Sequence, residues 1–479
     1  MSALLLVVAL AAAPSPRVAA GADSYVFIPR LDKLDGVSAF TQLAGRKTPM
    51  FRSVVWSEEL VPLVGVDLTS VESLSAAGID PAGSYTMSVL PAGRIACAQL
   101  KDPKVFVDRG NSAVLMQGER WGGSIPLKGG SYGAAVAEDR GSVVSGYVQK
   151  GSVGCMIRSP KGRGASLLED AAKLLDAPKI PANWKNATGL PGVMFAVSDE
   201  TVIGLTATGN VLTADAKAAR LPMVSPTLLP AGPSPYADMP MDGVFAAKLR
   251  VDPASVQGFA RGFGSQLAMF CPACDDRAIS TAAATLTSEL TGQIYLRVDS
   301  LSLSGALKSD ATRYFAVRHA YLAELKNPDA VKALLDKLTS ARGIRQTPYG
   351  IALVTNQGDI DLGVYGKHLC ISNDSAARQT VIAALGEAKG GKLGHGAELA
   401  GDPKLVSRAL RQISLLDVMG NSQAAGLFAA SVEMGPLLGA STSVNGWADS
   451  VTGGGYRGQM HWTLDPPKTQ KQDGGSASP

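Results

Sequence analysis

Gly83-Ser84-Tyr85-Thr86-Met87-Ser88-Val89-Leu90 places apolar side chains at mostly alternating positions, the period of a half-buried strand. The same shape returns at Gly292-Gln293-Ile294-Tyr295-Leu296-Arg297-Val298-Asp299 and at Gly458-Gln459-Met460-His461-Trp462-Thr463-Leu464-Asp465. Upstream of each copy lies another strand-like start: Val26 to Leu31, Val244 to Leu249, and Leu427 to Val432. A helical stretch follows the first at Val37 to Leu43 and the second at Val256 to Phe263. Further on, Leu100-Lys101-Asp102-Pro103 is echoed by Leu325-Lys326-Asn327-Pro328, Tyr132-Gly133 by Tyr349-Gly350, and Cys155 by Cys370. Each of these cysteines closes a hairpin and precedes a predicted helix, Ala165 to Leu175 and Ala376 to Ala388. The paired features keep their order at separations of about 209 to 225 residues, as one duplication with small loop changes requires.

The expected fold class is therefore α+β: two repeated units with antiparallel sheets packed by helices, plus a partial third copy at the C-terminus. Repeat unit one spans 23–220 and repeat unit two 243–425; the partial repeat, 426–466, packs on a neighbouring unit. Between the units, 221–242 carries Pro222, Pro226, Pro230, Pro233, Pro235 and Pro240, the density of an extended linker or surface loop. Residues 467–479 are polar and read as a disordered tail. The strongest predicted helix, Pro328 to Arg342, has Asn327 as N-cap, a stripe of Val331, Leu334, Leu335 and Leu338, and Gly343 where a C-cap belongs.

The N-terminus points to export. Leu4 to Ala13 is an apolar run of signal-peptide length, too short to span a bilayer, and Ala20-Gly21-Ala22 offers a small-residue cleavage site before Asp23. Residues 1–22 are accordingly expected to be a signal peptide, with the mature chain periplasmic or extracellular. No later segment is apolar enough to span. A net charge of +4 over 479 residues, with no basic stripe interleaved with aromatics, argues against nucleic acid as a partner.

In these features the chain resembles secreted, duplicated bacterial envelope proteins of unknown function. The resemblance rests on Leu74-Ser75-Ala76-Ala77-Gly78-Ile79-Asp80-Pro81 before a strand, and on the strand and helix of Val244 to Phe263. It implies an envelope location and a repeated α+β architecture, and it carries no catalytic residues with it.

Of the five cysteines, Cys271-Pro272-Ala273-Cys274 makes the sharpest local motif. A C-x-x-C pair can be a redox dithiol when a helix N-terminus lowers one thiol pKa. Here a predicted helix precedes it and Asp275-Asp276 follows, so the pair reads first as a short disulfide between helices. Other motifs fall short in context. Gly129-Gly130-Ser131-Tyr132-Gly133 spells G-x-S-x-G but enters a hairpin instead of joining a strand to a helix. His319 and His461 fall on predicted strands, His395 in a glycine-rich loop as a solvated side chain, and His368 two residues before Cys370, where both share a strand face. Asp359 and Asp361 begin like a calcium loop, but Cys370 stands where its Glu belongs. No cofactor or metal set is expected. The reading is a non-catalytic exported scaffold or binding protein whose partner is an envelope protein or an apolar ligand. The alternative is a thiol-redox or other secreted enzyme centred on Cys271 and Cys274.

Overall fold

The computed structural model describes residues 16–34, 66–116, 143–160, 164–176, 192–198, 201–218, 227–255, 276–303, 316–355, 358–413, 422–451 and 454–466, with a few isolated positions beside them. The first part of the chain supplies β1 (Ser24–Ile28), β2 (Tyr85–Leu90), β3 (Gly93–Gln99), the short β4 (Pro126–Leu127) and β5 (Ser131–Tyr132), β6 (Val143–Lys150), β7 (Val153–Pro160), β8 (Val193–Ser198), β9 (Thr201–Thr208) and β10 (Val211–Ala218). Its described helices include α1 (Val71–Ala76), α2 (Pro103–Met116) and α3 (Gly164–Asp176). The second part supplies β11 (Gly232–Ser234), β12 (Phe245–Arg250), β13 (Leu290–Leu301), β14 (Val317–Leu325), β15 (Ile344–Thr347), β16 (Gly350–Thr355), β17 (Gly358–Tyr365), β18 (His368–Ser372), β19 (Gly391–Leu393), β20 (Ala397–Gly401), β21 (Ser441–Ser450) and β22 (Tyr456–Leu464). Its described helices include α4 (Asp276–Ser288), α5 (Pro328–Leu338), α6 (Ser375–Glu387), α7 (Pro403–Leu410) and α8 (Ser422–Gly439).

The fold is mixed, and its organiser is one antiparallel sheet with 18 strands among the described residues. Pairing runs β6-β7-β3-β2-β1-β8-β9-β10 and continues β22-β21-β20-β12-β13-β14-β18-β17-β16-β15. A single row of facing residues can be followed across it. The row passes from Val148 through Cys155, Cys97, Thr86, Phe27, Met194, Gly204 and Asp215 to Gln459. From Gln459 it runs through Trp447, Glu398, Lys248, Tyr295, Leu322 and Cys370 to Gly363. Directly opposed residues point to one side of a pleated sheet, so this row defines one face.

Each flank of that face is sealed by a helix. Leu167, Leu168, Ala171 and Leu174 of α3 bury Val148, Cys155 and Cys97. Ala377 and Val381 of α6 bury Tyr295, Leu322 and Cys370. On the opposite face Phe106 of α2 packs with Tyr147 and Met156, and Val331 and Leu335 of α5 with Ile351, Leu353 and Ile360. Near the centre of that opposite face Phe40, Ala44 and Leu437 pack against Leu212 and Trp462.

Helix starts follow local chemistry. Asn327 accepts from the Ala330 amide and Asp402 from the Lys404 amide, each followed by Pro at the first helical turn. Asp374 accepts from the Ala376 and Ala377 amides ahead of α6. Gly292 sits at a register shift in β13 with φ 91°, and a Cβ there would lie 2.0 Å from the Val251 carbonyl oxygen.

Two sequence expectations are corrected. Leu427 to Val432 is not a strand opening a third copy; it lies within α8. A short apolar run reads equally well as buried strand or helix, and here the surrounding Ala, Leu and Met extend it into a helix. The Pro-rich segment before Gly243 is also more than a surface loop. Its Gly232–Ser234 pairs with Gly391–Leu393, and Tyr236 and Met239 are fully buried against Tyr295 and Leu322.

Candidate functional site

Between the two helix-sealed flanks the sheet face changes character. Thr213, Asp215 and Lys217 of β10 face His461, Gln459 and Arg457 of β22, which in turn face Asn445, Trp447 and Asp449 of β21. These residues alternate with the apolar set Leu212, Ala214, Trp462 and Met460 on the other side, so strand periodicity sorts polar from apolar. No core cluster of described residues spans this polar middle. Most of its side chains are half-buried, and Asn445 and Arg457 are exposed.

A hydrogen-bonded chain crosses the β10–β22 joint. Gln459 Nε2 donates to Asp215 Oδ1 at 2.9 Å, which leaves Gln459 Oε1 to accept from His461 Nε2 at 3.0 Å. With a proton on Nε2, His461 accepts at Nδ1 from Thr213 Oγ1 at 3.1 Å.

Beside it lies a second cluster. His395 Nδ1 meets Asp449 Oδ2 at 3.0 Å, and the ring stacks on Trp447 with centroids 4.0 Å apart at 10°. The Gly396 amide donates to Asp449 Oδ1 at 2.8 Å, and Arg457 lies 3.4 Å from Asp449 and over Trp447. Burial pushes the Asp449 carboxyl up, but the hydrogen bonds from His395 and Gly396 and the nearby cationic Arg457 outweigh it and hold it below its usual range. The sequence places His395 as a solvated loop residue; the structure ties it to β21 by stacking on Trp447 and a hydrogen bond to Asp449.

The described cysteines separate into two kinds. Cys97 and Cys155, facing partners on β3 and β7, form a disulfide with a Cα–Cα distance of 4.0 Å. Cys370 is free and buried, and burial pushes its thiol up to about 12. His368 does not activate it: His368 Nδ1 is hydrogen-bonded to Tyr236 Oη at 2.9 Å, and burial lowers its pKa. A thiol held protonated beside a histidine held neutral is no nucleophile pair.

Cys271 and Cys274 lie outside the described residues. Ser131 sits in β5, paired with Leu127. Asp359 and Asp361 are held by Arg345 and by Arg378, the latter at 2.6 Å. His319 is buried on β14, its Nδ1 2.9 Å from the Val317 carbonyl. Among the described residues, no three His, Cys, Asp or Glu side chains are grouped to share a metal ion. None of their helices is long and apolar enough to cross a membrane.

No family model matches the chain, and no curated protein matches it. Among solved structures, crystal form III of TP0453 is similar at 9% identity over 78% of this chain and 99% of that one, with a TM-score of 0.21. Crystal form I of TP0453 is similar at 9% identity over 76% and 93%, again at 0.21. A likeness at that score carries no argument about fold or function.

Proposed function

We propose that the protein is an exported, non-catalytic scaffold or binding protein of the cell envelope, resembling the secreted duplicated proteins of unknown function. The polar middle of its sheet face meets the partner. The single observation carrying this reading is the change along one face, from apolar rows under α3 and α6 to a polar field over β10, β22 and β21. That field mixes Lys217, Arg457, Asp215, Asn445 and Gln459, which favours an envelope protein with polar and charged side chains over an apolar ligand.

The unit behind this surface is a duplicated one. β1 is flanked by β2 and β8 as β12 is flanked by β13 and β20. The runs β2-β3-β7-β6 and β13-β14-β18-β17 share the same connectivity, and α3 and α6 each follow the strand bearing Cys155 or Cys370. On this reading the second copy extends through β22, and the two copies meet edge to edge at β10 and β22. The disulfide and the lack of a membrane-crossing helix among the described residues are compatible with export.

The test is site-specific photo-crosslinking in cells. A photoreactive side chain at Asn445, in the polar field, should capture a discrete envelope protein. The same group at exposed Lys337 on α5 should not. Equal capture at both positions, or none at Asn445, overturns the reading.

A further inference from the structure

The residues just before β1 are built into the fold. Val18 and Ala19 are 7% and 5% exposed. Val18 packs with Tyr25, Phe27, Met194 and Val202, and Ala19 packs in the cluster that α3 forms over Cys97 and Cys155. The Ala19 amide donates to Ser88 Oγ at 3.0 Å and the Arg17 amide to Thr86 Oγ1 at 3.4 Å, and both hydroxyl-bearing residues are buried. The Asp23 amide then donates to the Val89 carbonyl at 2.8 Å, which leads the chain into the β1–β2 pair. The segment before β12 does the same work on the other flank, where Tyr236 and Met239 cover Tyr295 and Leu322.

A cut at Ala22 would remove this cover. It would open the aromatic side chains of Tyr25 and Phe27 to water, and it would strip two buried hydroxyls of their amide partners. Losing apolar burial and leaving buried polar groups unmatched both weigh against the folded state. The apolar run Leu4 to Leu10 is already of signal-peptide length, and Ala11-Ala12-Ala13 supplies small residues immediately after it.

We infer that, on the export reading above, processing falls upstream of Arg17, at Ala11-Ala12-Ala13, and that Arg17 to Ala22 stay in the mature protein as a structural cover of the sheet. The first test is the intact mass of the exported protein. A start at Pro14 is expected. A start at Asp23 overturns the inference and leaves export standing, whereas an uncleaved Met1 in the cytosol sinks both. The second test does not depend on export. In the full chain, Ala19→Asp should lower the melting temperature by several degrees or abolish folding, and the milder Val18→Ala should lower it measurably. Ala20→Asp, at an exposed position, should leave it unchanged. Ala19→Asp and Val18→Ala melting like the parent would overturn the structural role.

Discussion

The two ends of the face-defining row solve one packing problem differently. Under α3, the strand pair β3–β7 is stapled by Cys97–Cys155. Under α6, the strand pair β14–β18 sets Leu322 opposite Cys370, with Tyr236 and Met239 added from the incoming chain. The stapled end is covered by the small lead-in residue Ala19, with Val18 packed beside it on Tyr25, Phe27 and Met194; the unstapled end is covered by a tyrosine and a methionine. Covalent restraint of the unfolded chain and buried apolar volume thus serve as alternatives at the two flanks.

That comparison can be broken in order of expected effect. Replacing both Cys97 and Cys155 by Ser frees a loop of 58 residues, and loop-closure entropy puts the loss at about 4 kcal/mol. Urea unfolding with and without reductant should show the parent falling toward the double variant. A parent indifferent to reductant would mean that the staple contributes nothing. The converse change is Leu322→Cys, which faces Cys370 in the same register. Under oxidation it should form a disulfide worth about 2–4 kcal/mol, visible as loss of free thiol and a raised urea midpoint. Free thiol that persists would show that the second pair is not spaced like the first. Cys370→Ala, by contrast, should cost only about 1 kcal/mol, since it deletes one buried sulfur and no cross-link.

The unstapled half is also the one with the buried His319 and the half-buried His368. Burial lowers the pKa of both His319 and His368. The unfolded chain then binds more protons than the folded one below about pH 6.5, so stability is full above that range and falls as the solution is acidified toward the folded values. Melting temperatures should drop from pH 7.5 to pH 5.5, and His319→Gln should flatten part of that slope. An unchanged slope in the variant would assign the acid loss to other groups.

Local features of this fold were legible in the sequence; its long-range joints were not. The alternation of Gly83 to Leu90 marks β2, and Asn327-Pro328 marks the start of α5, because strand period and helix capping are short-range physics. The Cys97–Cys155 bond depends on β3 pairing with β7 across an intervening helix, and no spacing rule singles it out from the other cysteine pairings. The His395–Asp449–Trp447 cluster needs a loop and a strand about fifty positions apart to meet, so a glycine-rich loop hides it. Leu427 to Val432 failed for the opposite reason: its local pattern is compatible with two structures, and tertiary packing chose the helix.

The β10–β22 joint has a consequence for how the molecule is made. Thr213 and His461 meet across a sequence separation of 248, so one side of the joint leaves the ribosome long before the other exists. Until Tyr456 to Leu464 arrives, β10 presents an open row of amide and carbonyl groups, a template for wrong partners. β22 therefore acts as a closing piece, and a nascent or truncated protein lacking it carries a sticky edge at the centre of what becomes its largest described sheet.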